Sequence, residues 1–242
     1  MKKNFTFFGL FLIMVLMITT PGCLPCISGI HGSGNIIRQD RNVAEFSKVV
    51  VEGQGDVIVK QGETQSVNIE TDDNIMQYIT TRVSGGVLTI DSDENISPKK
   101  LIIHLTMKNI EGLKIEGSGS IRNDSPIKTG KISLYIEGSG DIKLNDILAD
   151  GIKAEISGSG DVKIGKGTCR EMFLKISGSG EMNARECETD NCEASIYGSG
   201  TCHIAAKNLL EASIYGSGDI YYYGEPKQLK TSVSGSGSII KK

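Results

Sequence analysis

The chain has 242 residues, a formal charge of −3, 30 glycines, no tryptophan and 5% aromatic residues. That length serves one large or two small domains, and the shortage of bulky rings argues for a narrow core of small and branched aliphatic side chains. A mildly acidic chain without clustered Lys and Arg is a poor match for nucleic acid, whose phosphates call for basic patches.

The chain begins with the form of an export signal. Lys2 and Lys3 precede an apolar run from Phe5 to Ile18, broken only by Thr6 and Gly9, which is too short to span a bilayer comfortably. It ends in Thr20-Pro21-Gly22-Cys23, where a small residue precedes a cysteine as at a bacterial lipoprotein cleavage site; Thr20 departs from the leucine usual at that position. The expectation is a signal over residues 1–22, lipidation at Cys23, and a tether over residues 23–34. Acyl chains at Cys23 would hold the protein on a membrane surface without inserting the folded part. Without the two lysines of residues 1–22 the formal charge falls to −5.

Residues 35–109 read as an irregular β-rich segment. "FSKVVVEGQGDVIVKQG", "SVNIE", "GVLTIDS" and "KKLIIHLTM" alternate or run apolar as strands do. "DDNIMQYI" reads as one or two helical turns, with Asp72 or Asp73 as the N-cap. No Pro/Ser-rich linker follows, so residues 35–242 are expected to form one domain.

From residue 110 onward the sequence repeats. The triplet Gly-Ser-Gly begins at Gly117, Gly138, Gly158, Gly178, Gly198, Gly216 and Gly235, with Gly32-Ser33-Gly34 and Gly53-Gln54-Gly55 as earlier copies. A period near twenty residues marks an array whose units bury their apolar faces only by stacking. Around each triplet the pattern has period two: Ile132, Leu134 and Ile136 alternate with polar residues, and after the bend Ile142 and Leu144 do the same. Each coil is therefore two short strands separated by the triplet and closed by a looser connection such as Asn145 to Asp150. In-phase apolar residues at every copy exclude a flexible linker. A phosphate-binding glycine loop needs a helix after the glycines, and here a strand follows. The expected fold is all-β: a single-stranded, right-handed β-helix or β-solenoid, with regular coils over residues 110–242.

The phrase "VVVEGQGDVIVKQG", followed by "SVNIETDDNI", "GVLTI", "NIEGLKIEGSGSI" and the serial GSGD copies, resembles the head GIN domain family of autotransporter-adhesin type. The resemblance covers about residues 40 to 240. It implies a β-helix-like fold on an exported, often lipid-anchored protein, and brings no catalytic residues with it.

Candidate sites divide by position on the coil. The residue after each triplet is often acidic (Asp56, Asp141, Asp161, Glu181, Asp219), with Lys143 and Lys163 two positions on. This suggests columns of acid and base that compensate each other; calcium, which prefers six to eight oxygens, is the weaker reading. Cys192 and Cys202 have the inward phase of small core residues. Cys169 and Cys187 lie in consecutive connections, where an oxidising compartment would allow a disulfide. The histidines and cysteines show no zinc spacing, and no cofactor is expected. Tyr197 and Tyr215 take the same outward position just before the triplet in adjacent coils, and Tyr221 and Tyr223 take the outward phase after the bend. Tyrosine offers apolar area with a polar tip, so these four form the candidate contact surface for a glycan or an envelope protein. The functional expectation is a non-enzymatic, lipid-anchored binding or adhesion module of the periplasm or cell surface. A carbohydrate-active enzyme on a β-helix and a structural or assembly protein are the alternatives.

Overall fold

The computed structural model describes residues 29–242; the expected export signal and the expected lipidation site, Cys23, lie outside the described residues. The strands in chain order begin with β1 (Ile30–His31), β2 (Ile36–Asp40), β3 (Lys48–Gly53), β4 (Asp56–Gln61) and β5 (Ser66–Asp72). They continue with β6 (Ile79–Ser84), β7 (Val87–Ser92), β8 (Ile96–Ser97), β9 (Leu101–Met107), β10 (Gly112–Gly117) and β11 (Ser120–Asn123). The last are β12 (Ile127–Gly138), β13 (Asp141–Gly158), β14 (Asp161–Gly178), β15 (Glu181–Gly198), β16 (Thr201–Gly216), β17 (Asp219–Tyr223), β18 (Gln228–Gly235) and β19 (Ser238–Lys241). Together they form a β-solenoid of about six turns, in which each coil pairs in parallel with the next.

Register carries the repeat into three dimensions. β13 and β14 stay in step from Asp141 opposite Asp161 to Gly158 opposite Gly178, so residues one repeat apart sit on top of each other. The inward columns are apolar throughout: Ile136, Ile156, Ile176, Ile196 and Ile214 form one, all buried. Each such side chain contributes roughly 1.5–3 kcal/mol by leaving water. A single repeat has no second layer of its own, so the neighbouring coil supplies the rest of the contact.

The expected loose connection is a third paired side. Asp146, Ile147, Leu148 and Ala149 stand opposite Lys166, Gly167, Thr168 and Cys169 in the β13–β14 ladder, with Ile147, Ala149, Cys169 and Cys187 turned inward and buried. The strand therefore continues around the coil and breaks only at the glycine triplet.

The corner glycines are required by stacking as well as by parity. Gly158 has φ +135°, and a Cβ there would collide with the carbonyl of Gly138 one coil away. At Gly140 a Cβ would meet both the Gly119 carbonyl and the side chain of buried Ile115. The serine between them is exposed, and its N–H binds the previous corner: Ser139 donates to the Gly117 oxygen at 2.9 Å and Ser159 to the Gly138 oxygen at 2.9 Å.

The N-terminal half closes one end. β3 and β4 make a coil that stacks on β10 and β11, and β7 and β9 add beyond them in parallel. Then the direction reverses: β6 pairs antiparallel with β7, β5 with β9 and β2 with β5. Phe46, Ile75, Met76 and Ile79 are buried at this end.

The segment read as a helix is a single 3-10 turn, Met76–Tyr78, and no side chain caps it. The capping role expected of Asp72 and Asp73 is corrected accordingly. Asp72 is fully buried, and its carboxylate accepts the N–H groups of Gly34 at 2.7 Å and Lys99 at 2.8 Å. Asp73 accepts from the Ser33 hydroxyl at 2.6 Å and from the Asn35 amide at 2.9 Å. Both aspartates fasten the entering chain to the closed end.

Candidate contact surface

The outward positions of the coils carry the chemistry. Tyr197 and Tyr215 are opposite each other in the β15–β16 ladder. Their rings stack with centroids 5.0 Å apart and planes 7° from parallel, while 45% and 48% of each residue stays exposed. Offset stacking of this kind suits the ring quadrupole. The Lys175 Nζ lies 5.4 Å from the Tyr197 ring centroid, within cation–π range.

Tyr221 and Tyr223 belong to a second stack, across the glycine corner. His203 and Tyr221 stack at 4.9 Å and 16°, and the His203 Nδ1 lies 3.2 Å from the Tyr223 hydroxyl oxygen. The Tyr221 hydroxyl donates to Asp219 at 3.4 Å, and the Lys242 Nζ sits 4.9 Å from the Tyr221 ring centroid. These tyrosines are half-buried, so the four residues make two stacks on two faces, with Tyr197 and Tyr215 the more accessible pair.

The sequence reading missed a third group on the same face as Tyr197. The Lys153 Nζ lies 5.1 Å from the Tyr135 ring centroid and 5.9 Å from that of Phe173, and pairs with Glu155 at 2.9 Å. The Tyr135 hydroxyl and then Glu155 push the Lys153 pKa up to about 12. Reading each outward phase down the stack, rather than along the chain, would have found it: Lys153 and Phe173 are opposite residues in one ladder.

The acid and base columns after the corner do not form ion pairs with each other among the described residues. Their carboxylates instead accept backbone N–H groups of the next coil: Asp161 from Glu181 at 2.9 Å and Asp219 from Ser238 at 2.9 Å. Among the described residues no group of three His, Cys, Asp or Glu is placed to hold a metal.

Two of the surface grooves hold clustered carboxylates. One of about 750 Å³ runs along the third side, past Leu148, Asp150, Arg170, Glu188 and Lys207. Two of its carboxylates are paired, Asp150 with Arg170 at 2.8 Å and Glu188 with Lys207 at 2.6 Å, and Lys207 holds Glu188 below the usual carboxylate range. The other, about 390 Å³, lies toward the closed end and contains Glu52 and Asp91. Burial first, then the charges of Asp91 and Glu116, raise the Glu52 pKa; Glu116 is the residue opposite Glu52 in the β3–β10 ladder.

Cys169, Cys187, Cys192 and Cys202 are buried free thiols. Cys169 is opposite Thr189 and Cys187 opposite Gly167, so the expected disulfide partners are diagonal rather than facing. With strands about 4.8 Å apart and a rise of about 3.3 Å per residue, Cα atoms two residues out of register are roughly 8 Å apart, beyond the usual disulfide span. Among the described residues no helix is long and apolar enough to cross a membrane.

The described residues thus form a β-solenoid with aromatic stacks on its outward faces. The chain belongs to the family described as "Putative auto-transporter adhesin, head GIN domain", whose model matches residues 45–226. Its fold is similar to that of a "putative adhesin" from Bacteroides fragilis NCTC 9343, at 26% identity and TM-score 0.83, covering 88% of this chain and 100% of that one. A "putative lipid binding protein" from Parabacteroides distasonis ATCC 8503 is similar at 26% identity and TM-score 0.75, covering 88% and 99%. A "putative adhesin" from Parabacteroides merdae ATCC 43184, at 21% identity and TM-score 0.72 over 88% and 98%, shares the fold. Among proteins of curated function, none matches the chain.

Proposed function

We propose that this protein is a non-enzymatic binding or adhesion module of the cell envelope, exported and lipid-anchored through Cys23, that meets a glycan or envelope protein with its aromatic face. The observation that carries the reading is the Tyr197–Tyr215 stack, which leaves nearly half of each residue exposed on a rigid ladder. Flat apolar rings fixed in this way suit the faces of sugar rings, and lysines beside them add polar contacts. The family description and the names of the related structures agree with an adhesion-like surface role. A glycan and envelope-protein binding screen of the full chain tests it. Tyr197→Ser with Tyr215→Ser should abolish the strongest interaction while leaving the fold intact, and undiminished binding would sink the reading. For the anchor, Cys23→Ser should release the protein from membranes; unchanged membrane association would refute lipidation there.

A carbohydrate-active enzyme remains a second reading because of Glu52 and Asp91. A carboxyl with a raised pKa beside a second carboxylate is the arrangement general acid/base cleavage of glycosidic bonds uses. Cleavage of a bacterial or host polysaccharide that is lost in Glu52→Gln would establish this reading; no cleavage across a polysaccharide panel would dismiss it.

A further inference from the structure

The two ends of the solenoid differ. The antiparallel strands β2 and β6 and the buried side chains Phe46, Ile75 and Met76 close the first end. Nothing in residues 29–242 closes the second. β18 pairs only with β16 and β19 only with β17, so the outer edge of the last coil presents unpaired backbone donors and acceptors. Its inward side chains are uncovered as well. Leu229 is 44% exposed and Val233 45%, whereas Leu210 and Ile214, opposite them one coil below, are fully buried.

Such an edge recruits an added strand unless something forbids it. Charge decides which strand. Residues 226–242 contain Lys227, Lys230, Lys241 and Lys242 and no acid, in a chain of net charge −3. Lys230 pairs with Glu211 at 2.6 Å and Lys241 with Glu225, while Lys227 and Lys242 have no ion-pair partner among the described residues. Pairing two copies through this end would bring two sets of four lysines together with no acid of the last coil to offset them. A segment alternating apolar and acidic side chains fits both features: its apolar side covers Leu229 and Val233, and its acids meet the lysine rim.

We propose that the open end of the solenoid is a docking edge for an extended acidic strand of a partner protein, added in register to β18. Backbone pairing supplies the geometry, burial of Leu229 and Val233 the apolar contact, and the four lysines the selectivity against basic strands and against self-association. This edge is separate from the tyrosine stack proposed above as the contact face.

The test uses the full chain, purified as its host processes it and kept in detergent, with a labelled peptide of alternating valine and glutamate as long as β18. Binding is expected for that peptide and not for its lysine-for-glutamate counterpart. Lys227→Glu with Lys230→Glu should raise Kd at least about tenfold, and the peptide with alternate backbone amides N-methylated should not bind. Tyr197→Ser with Tyr215→Ser should leave peptide binding unchanged, which separates this site from the aromatic face. Equal binding of the acidic and basic peptides, no binding of either, or a stable dimer that excludes the peptide in sedimentation would each overturn the proposal; the last would assign the edge to a second copy.

Discussion

Glycine at the corner is a matter of what stands one coil away. The Gly158 φ of +135° disfavours a side chain, and the Gly138 carbonyl fills the space a Cβ would take. Gly158→Ala should therefore cost about 2–4 kcal/mol in denaturant unfolding. Ser159→Ala, at the exposed neighbour, should stay within about 0.5 kcal/mol. Asp72 gives a residue-scale pH dependence. Burial pushes its carboxyl up, but the N–H groups of Gly34, Lys99 and Lys100 outweigh it and the pKa lies below the ordinary value. A lowered folded pKa means stabilisation that is complete above about pH 4 and is lost as pH falls through the folded pKa. The loss of stability between pH 7 and pH 3 should be smaller in Asp72→Asn than in the native chain, and equal losses would show that Asp72 does not fasten the entering segment.

At the scale of elements, the coils are not equivalent although their sequences are similar. Leu210 in β16 and Leu229 in β18 are opposite residues in one ladder, yet the first has a coil on each side and the second on one. Leu210→Ala should cost about 2–5 kcal/mol, as buried leucine truncations do, and Leu229→Ala less than about 1 kcal/mol, since 44% of that residue is already exposed. Amide exchange should follow the same order, with β18 and β19 opening before β13–β15. The strands and their phase were readable from period two alone. The third side was not, because Ile147, Leu148 and Ala149 are apolar in succession and hide the alternation, Leu148 being exposed between two buried neighbours; its pairing follows from the coils above and below.

Across the whole molecule, the interior of the stack is dry enough to silence its thiols. Burial pushes the Cys169 pKa up to about 11 and those of Cys187 and Cys202 up to about 12, and raises that of Cys192. In the native protein these four cysteines should resist a thiol-alkylating reagent and all react after unfolding without reductant, read residue by residue in a mass spectrometer. Protection of Cys169 and Cys187 after unfolding would reveal a bridge between them. The amino-acid sequence by itself determined the solenoid, the coil length, the inward columns and the corner glycines, because each follows from a repeat near twenty residues and a period of two. It also placed Tyr197 and Tyr215 in one column, since their offsets from the triplet are equal. Only the tertiary structure decided that Asp72 binds a distant loop, that Lys153 lies between Tyr135 and Phe173, and that, among the described residues, one end of the solenoid is covered and the other is not. These depend on which segments stack, and a coil's neighbours lie about twenty residues away along the chain or, at the N-terminal end, 39 (Lys48 and Val87) and 46 (Asp56 and Ile102).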